Sequence, residues 1–388
     1  MAFIPYGRQT ISEEDIQAVT EVLRSDFLTQ GPAVPAFEAA VMAHCGTRHA
    51  VAVNSATSAL HIACLALGAG SGDLVWTSPI TFVASANCAL YCGADVDFVD
   101  IDPATLNMSV PALAAKLEQA RKSGALPKIV IPVHLAGQSC DMAAIAALAK
   151  QYGFAVIEDA SHAIGGRYQD HPLGDCRHSD ITVFSFHPVK IITTGEGGMA
   201  VTNDAALAKK MALLRSHGIT RDAADMVDPS EGGWGYQQVA LGFNYRMTDI
   251  QAALGSSQIR LLEERVARRH VLAARYDKGL AALPLILPRP HADAYSAWHL
   301  YVIQLREDAT IGRSQLFDSL RKDEIGVNVH YIPVHLQPHY RRFGFRPGEL
   351  PAAEAYYARA LSIPIYSAMT DDQQDFVMAR LTHHCRRR

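Results

Sequence analysis

The chain has 388 residues, 49% of them hydrophobic, and a formal net charge of -4. This length exceeds one ordinary hydrophobic core and predicts two domains. The slightly acidic balance argues against non-specific nucleic-acid binding, which needs a basic surface. No apolar run reaches the roughly 18–20 residues of a membrane helix, so we expect no membrane partner.

The seven cysteines are scattered and form no C-x-x-C pair. This pattern favours reduced thiols in the cytoplasm over disulfides or structural zinc. The first residues, from Met1 to Arg8, lack the charged start and apolar centre of a signal peptide, which also favours the cytoplasm.

Short apolar runs alternate with helical patterns through the first half of the chain. The predicted strands cover residues 50–53, 74–76, 96–99, 129–133, 154–157 and 181–186. The predicted helices cover residues 55–67, 79–91, 109–121 and 141–152, and an earlier helix begins after Ser12 with a capping box to Asp15. The alternation predicts an α/β fold with a large, mostly parallel sheet and helices on both faces.

The pattern changes in the last third of the chain. A long helical pattern runs from Met247 to about Ala274. Beyond it, residues 297–303 and 327–331 predict strands, and residues 314–322 predict a helix. We therefore expect a large domain over residues 1–255 and a smaller α+β C-terminal domain over residues 256–388.

Lys190 follows the apolar run at residues 181–186 and precedes a glycine-rich turn at 194–198. A solvated surface lysine is the ordinary alternative. A buried lysine at a strand end has a lowered pKa, and its free amine can form an imine. Asp159 ends the preceding apolar run, and the carboxyl ends of parallel strands share one sheet edge. The two residues suggest a Schiff base between Lys190 and pyridoxal phosphate, with Asp159 holding the pyridinium nitrogen.

Thr57 and Ser58 open a helix directly after a predicted strand. Exposed amides and the helix dipole favour a phosphate there, although an ordinary N-cap is the alternative. Ser185 lies in the strand before Lys190, so its hydroxyl either reaches the same phosphate or fills a buried strand.

Two ring side chains are further candidates for cofactor contacts. Phe82 either stacks on the cofactor ring or packs in the core. His162 either lies over the ring, reaches its hydroxyl, or is a polar turn residue. Near the C-terminal end, His330, Tyr331 and His335 cluster around a predicted strand end and suit sugar or phosphate recognition. Metal ligation is their alternative, but no acidic partner lies nearby in sequence, and we predict no metal.

The chain resembles, over nearly its whole length, the sugar aminotransferases of the DegT/DnrJ/StrS group, which have the fold of aspartate aminotransferase. The matching stretches are residues 28–32 (LTQGP), 54–60 (NSATSAL), 132–137 (PVHLAG), 158–163 (EDASHA), 185–190 (SFHPVK), 195–198 (GEGG) and 242–251 (GFNYRMTDIQ). So many matches in the same order are far more specific than any single motif.

The resemblance implies a homodimer whose active sites contain residues of both subunits. Lys190 would bind pyridoxal phosphate covalently and Asp159 would pair with the ring nitrogen. The other implied contacts are Thr57, Ser58 and Ser185 on the phosphate, Phe82 stacked on the ring, His162 beside the ring, and Asn244 on the phosphate of the neighbouring subunit. Some family members carry histidine in place of the lysine and dehydrate their substrate, so Lys190 favours amino transfer.

Within the family, residues 161–163, 187–190 and 215–218 resemble most the aminotransferases of pseudaminic acid biosynthesis. That resemblance implies a UDP-linked 4-keto-6-deoxy-2-acetamido sugar as substrate and L-glutamate as amino donor. Alternatives are a UDP-4-keto-pentose enzyme of the aminoarabinose type, an enzyme for GDP- or dTDP-linked 4-keto sugars, and a catalytically silent regulatory protein of the same fold.

The substrate contacts are predicted from family position and chemistry. The candidates are Arg8, Thr29, Gln30, Arg246, His330, Tyr331 and His335. Arginine suits a diphosphate because its planar donors bind two oxygens, although each arginine has a surface or interface salt bridge as its alternative.

Overall fold

The computed structural model describes residues 3–228 and 232–385, so the outermost residues of both predicted domains lie outside the described residues. In chain order the α-helices are α1 (Glu13–Leu23), α2 (Ala33–Cys45), α3 (Ala56–Ala66), α4 (Ala84–Tyr91), α5 (Val110–Ser123), α6 (Met142–Tyr152), α7 (Ala205–Arg215), α8 (Asp249–Gln258), α9 (Leu262–Leu280), α10 (Arg313–Lys322), α11 (Pro338–Arg341), α12 (Pro351–Arg359) and α13 (Asp371–Cys385).

The strands are β1 (His49–Val53), β2 (Leu74–Thr77), β3 (Asp95–Phe98), β4 (Ile129–Ile131), β5 (Ala155–Asp159), β6 (Arg167–Tyr168), β7 (His171–Pro172), β8 (Ile181–Ser185), β9 (Gly198–Thr202), β10 (Ile219–Thr220), β11 (Gln237–Gln238), β12 (Leu285–Ile286), β13 (Ala294–Tyr295), β14 (Tyr301–Leu305) and β15 (Ala360–Ile363). Short 3-10 turns lie at Leu135–Gly137, Ile259–Leu261 and Val334–Leu336.

The main sheet has seven strands in the order β1-β9-β8-β5-β4-β2-β3. Strand β9 is antiparallel to both of its neighbours, and β8, β5, β4, β2 and β3 pair in parallel. Alternate strand residues face opposite sides, so Val130 belongs to one core while Ile129 and Ile131 belong to the other. Helices α2, α5 and α6 cover the first core and α3, α4 and α7 cover the second, which confirms the predicted α/β class.

A smaller antiparallel sheet, β12-β14-β15, lies in the last third of the chain. Its core includes residues of α9, α10 and α13 and also Ile4, whose backbone N–H donates to Glu324 at 2.9 Å. Helix α9 contributes Val266 to the first core of the large sheet and Tyr276 to this one. The N-terminal segment and α9 therefore both connect the two sheets.

Several predicted elements differ at their ends. Strand β14 begins at Tyr301 rather than residue 297, because the N–H groups of Ala297 and Leu300 donate to Gly137 and Ala136 instead of to a sheet neighbour. The predicted strand at 327–331 is reduced to one bridge between Asn328 and Ser362. The long helix predicted from Met247 is divided into α8 and α9 by the 3-10 turn at Ile259–Leu261.

Candidate active site

The candidate site lies at the carboxyl edge of the main sheet, as predicted for a parallel α/β fold. Asp159 ends β5, Ser185 ends the neighbouring β8, and Ala160 N donates to Val183 O at 2.9 Å between these strands. Lys190 follows in a loop whose shape is set by hydrogen bonds from its own N–H to His187 O, at 2.9 Å, and from Thr194 N to Phe186 O, at 3.0 Å.

The amine of Lys190 is a titratable group with a shifted pKa at this edge of the sheet. Burial lowers its pKa to about 8, while the Asp159 carboxylate acts in the opposite direction. An ordinary lysine has a pKa of about 10.4, so Lys190 holds a much larger neutral fraction near neutral pH. A neutral amine is the nucleophilic form that attacks a carbonyl.

Asp159 is held by two donors. Ser85 Oγ donates to Oδ2 at 2.6 Å, and Ser161 N donates to Oδ1 at 3.1 Å. Ser85 also shares a hydrogen bond of 2.7 Å with Thr81. Ser85 and Thr81 were not predicted from the sequence. Ser85 lies in the first turn of α4 and Thr81 just before that helix, and nothing in their spacing along the chain connects them with β5.

His162 is buried and carries a defined tautomer. Its Nδ1 accepts Ala136 N–H at 3.3 Å, so the neutral ring has its hydrogen on Nε2, which lies 3.1 Å from Tyr331 Oη. Burial and the positive charge of Lys190 hold its pKa well below the ordinary value. The Tyr331 ring also lies 6.3 Å from the ring of Phe82, which is 60% exposed. The structure therefore brings together two rings predicted as cofactor contacts, Phe82 and His162, and one predicted as a substrate contact, Tyr331.

His330 joins the same group from the C-terminal part of the chain. Its Nδ1 lies 2.8 Å from Ser362 Oγ, and Tyr356 Oη donates to its carbonyl at 2.5 Å. Burial and the nearby charge of Lys190 lower its pKa to about 3, so the ring is neutral at physiological pH.

The predicted phosphate turn begins α3. Ser55 is the N-cap, its Oγ accepting Ser58 N–H at 3.1 Å, and Ser58 Oγ donates to Asn54 Oδ1 at 2.7 Å. Gly198 pairs with Ser185 in the sheet and approaches this turn so closely that a Cβ there would lie 2.4 Å from Ala56 N. The hydroxyls of Ser58 and Ser185 and the half-buried Thr57 are thus contributed by adjacent elements.

The segment before α8 lies beside this turn. Asn54 N donates to Tyr245 O at 2.8 Å, and Asn54 Nδ2 reaches Asn244 O at 3.5 Å, while the Asn244 residue itself is exposed. Arg246 Nη1 donates to Ser216 Oγ at 3.1 Å. Asn244 and Arg246 are therefore near the phosphate turn of their own chain.

The remaining predicted substrate contacts lie elsewhere. Thr29 and Gln30 are exposed, with Thr29 bridged to Thr248, and Arg8 is exposed near Tyr366, where burial raises the pKa of the phenol and the charge of Arg8 partly offsets that rise. His335 is 0% exposed, and its Nε2 lies 3.0 Å from Glu354 Oε1. Its ring is enclosed by the core and offers no surface to a substrate, so this structure does not bring His335 into the group.

Two further properties concern the described residues as a set. Within residues 3–228 and 232–385, no group of three or more His, Cys, Asp or Glu side chains is arranged to hold a metal ion. In the same ranges, no helix has the length and apolarity needed to cross a membrane.

Residues 9–382 match the model of the DegT/DnrJ/EryC1/StrS aminotransferase family. The spore coat polysaccharide biosynthesis protein SpsC of Bacillus subtilis is 44% identical over 381 residues, which cover 97% of this chain and 95% of that protein.

Solved structures are similar over nearly the whole chain. Helicobacter pylori PseC, described as an aminotransferase involved in the biosynthesis of pseudoaminic acid, superposes with a TM-score of 0.90 at 31% identity and covers 99% of each chain. The PLP-form of Spr1654 from Streptococcus pneumoniae, a sugar aminotransferase, gives a TM-score of 0.88 at 28% identity over 99% of this chain and 98% of that chain. Its PMP-form gives 0.89 at 29% identity over 98% and 99%.

These neighbours confirm the predicted pyridoxal phosphate aminotransferase fold, and their PLP- and PMP-forms agree with the predicted cofactor. The family match extends over both sheets and all the residues around Lys190. The chain belongs to the DegT/DnrJ/EryC1/StrS aminotransferase family.

Proposed function

We propose that the chain uses pyridoxal phosphate to transfer the amino group of L-glutamate to C4 of a nucleotide-linked 4-keto-6-deoxy sugar. The preferred substrate in this proposal is the UDP-linked 2-acetamido sugar. The observation that carries it is the half-buried Lys190, whose pKa is lowered to about 8 beside Asp159 at the carboxyl edge of a parallel sheet.

The donor set fits the cofactor. In this proposal the α3 turn, with Thr57 and Ser58, and the neighbouring Ser185 hold the phosphate, and Asp159 holds the protonated ring nitrogen. When bound, pyridoxal phosphate supplies a carbonyl that joins an amine and a ring that withdraws electrons from the carbon that loses its proton.

Lys190 performs the proton transfer in this proposal. Its neutral amine would accept the proton that the amino-bearing substrate carbon loses and would then release it again. A general base is most effective when its pKa lies near the working pH, and burial brings Lys190 to about 8. The exposed Phe82 ring would cover the cofactor, and Tyr331, hydrogen-bonded to His162, would lie beside it.

The sugar substrate is supported by the relatives and by the chemistry of the predicted substrate contacts. PseC is described as acting in pseudoaminic acid biosynthesis and SpsC as acting in spore coat polysaccharide biosynthesis. Exposed Arg8 and half-buried Arg246 supply the cationic forks that a nucleotide diphosphate requires. His330 and Tyr331 face the sugar in this assignment.

The experiment is a comparison of Lys190→Ala with Lys150→Ala. Lys150 is an exposed lysine on α6, so its removal controls for charge loss. We expect wild type and Lys150→Ala to bind pyridoxal phosphate with its protein-bound absorption band and to form 2-oxoglutarate from glutamate. Lys190→Ala should lose both. A wild-type protein that stays colourless after incubation with pyridoxal phosphate would favour the silent regulatory protein instead.

A further inference from the structure

Arg269 on α9 is a buried cation, and the hydrogen bonds observed for it go to backbone carbonyl groups. The residue is 2% exposed, and Nη1 donates to Trp298 O at 3.0 Å, His299 O at 3.3 Å and Ile365 O at 3.0 Å. A buried charge is costly unless hydrogen bonds compensate it. The guanidinium therefore acts as a fixed clamp on the segment before β14.

The clamped segment has an unusual backbone. Trp298 has φ +49°, a left-handed conformation that ordinary side chains disfavour. On its other side, Ala297 N donates to Gly137 O at 2.9 Å, and a Cβ at Gly137 would lie 2.9 Å from both Trp298 N and His299 N. This close backbone approach allows only glycine at residue 137, so three segments fix the position of His299.

Because Arg269 holds this segment, the imidazole rings of His299 and His162 are in contact. His299 is 4% exposed, and its ring centroid lies 4.4 Å from that of His162. The adjacent turn supplies Ala136 N–H to His162 Nδ1. The His162 ring thus packs against the His299 ring at an interplanar angle of 46° while its Nδ1 is held by the turn, and Nε2 is directed to Tyr331.

We propose that His299, held in place by Arg269, is a positioning residue that keeps the His162 ring in its Nε2–H tautomer and directed at Tyr331. This inference rests on the proposed function for its catalytic consequence, but not for its structural content. His299 was not predicted as a site residue, because a histidine before an apolar strand carries no distinguishing pattern in the sequence.

The surrounding charges support a neutral pair of rings. Burial, His162, Lys190, Arg269 and His330 all lower the pKa of His299 well below its ordinary value. Burial, Lys190 and His330 do the same for His162. Neither imidazole therefore repels the other, and their contact is a packing contact between neutral rings.

The first test reads the tautomer directly in the cofactor-free protein by NMR of ¹⁵N-labelled histidines. In wild type and in the exposed-residue control His339→Ala, we expect the His162 signals of one neutral tautomer with the hydrogen on Nε2. His299→Ala should give mixed tautomers or exchange broadening for His162, and His299→Phe, which keeps a flat ring, should restore the single tautomer. An unchanged His162 in His299→Ala would overturn the proposal.

The second test measures the half-reaction of the loaded protein with glutamate. A misplacement of about 1 Å near the reacting groups costs roughly 100-fold in rate, so we expect a loss of roughly 10- to 100-fold in His299→Ala and near-normal rates in His299→Phe. A folded His299→Phe as slow as His299→Ala would overturn the packing role. If His299→Ala does not fold, Arg269→Lys serves instead, with broadened His162 signals expected and unchanged signals contradicting the proposal. Should the wild type fail with every amino donor while the NMR result holds, the proposed function fails and the positioning role stands.

Discussion

At the scale of single residues, Lys190 shows how two opposing effects set a pKa. Burial lowers the pKa and the Asp159 carboxylate raises it, and burial is the larger effect, leaving a pKa of about 8. The neutral amine thus increases as the pH rises through about 8. Replacing Asp159 by a neutral residue removes the effect that raises the pKa and should move this midpoint to lower pH.

The pH prediction can be checked without bound cofactor. Reductive methylation of the cofactor-free protein, read residue by residue by mass spectrometry, should accelerate for Lys190 with a midpoint near pH 8. The midpoint should fall in Asp159→Asn, while the reaction of exposed Lys150 should be the same in both proteins. A midpoint that rises in Asp159→Asn would contradict the assigned electrostatics.

Ser85 provides a second prediction at this scale. Its hydroxyl donates to Asp159 Oδ2 at 2.6 Å, so Ser85→Ala should leave that carboxylate poorly oriented. We expect turnover about tenfold lower, equivalent to about 1.4 kcal/mol in the barrier. Ser256→Ala is the matched control, because the buried Ser256 hydroxyl on α8 has no hydrogen-bond partner among the described residues. Equal turnover of the two variants would remove Ser85 from the site.

The residues of the site differ in how well a sequence reveals them. Lys190 and Asp159 were predictable together, because the ends of parallel strands share one edge of a sheet. Ser85 and His299 were not, since each reaches its partner through the fold rather than through spacing in the chain. His335 shows the converse, because it follows His330 closely in sequence yet its ring turns into the core towards Glu354.

At the scale of elements, the contact between β9 and the start of α3 leaves no room for a side chain at Gly198. A Cβ at Gly198 would lie 2.4 Å from Ala56 N, and such a backbone clash requires the helix to move. We expect Gly198→Ala to lower stability by about 1–3 kcal/mol, as overpacking does, and to weaken binding of pyridoxal phosphate. Gly70→Ala is the control, since among the described residues beyond its chain neighbours nothing lies within 4 Å of the Cβ that alanine would add, and its φ is not positive.

The measurements are denaturant unfolding and titration with pyridoxal phosphate. Loss of stability without any loss of cofactor affinity in Gly198→Ala would contradict a phosphate site at the α3 turn. The Gly70→Ala variant should resemble wild type in both measurements.

Most strands of the main sheet were predictable from apolar periodicity, with ends shifted by at most two residues. Strand β9 was not predicted. It is antiparallel and begins within the glycine-rich turn, so its apolar residues do not stand out as a strand pattern. Helix α4 begins at Ala84 rather than residue 79, after a turn that directs Thr81 to Ser85. The capping box of Ser12 and Asp15 at α1 is confirmed, because that pattern is entirely local.

At the scale of the whole molecule, α9 and the N-terminal segment join the two sheets, and a boundary near residue 255 stays a prediction. The homodimer is also a prediction, and light scattering should give twice the chain mass of 42.1 kDa.

Mixing Lys190→Ala with Asn244→Ala chains tests whether sites are shared. If Asn244 serves the neighbouring subunit, the mixed dimer contains one intact site and regains activity. Two inactive variants that stay inactive when mixed would contradict sharing.

The most direct test of the account offers the amino form of the loaded protein a panel of UDP-, GDP- and dTDP-linked 4-keto-6-deoxy sugars. We predict that the UDP-linked 2-acetamido sugar restores the absorption spectrum of bound pyridoxal phosphate fastest and gains an amino group at C4, identified by mass spectrometry and NMR. Lys190→Ala should fail with every sugar. If no 4-keto sugar of any nucleotide restores the spectrum while the protein still accepts amino groups from glutamate, the assignment of a sugar substrate is contradicted.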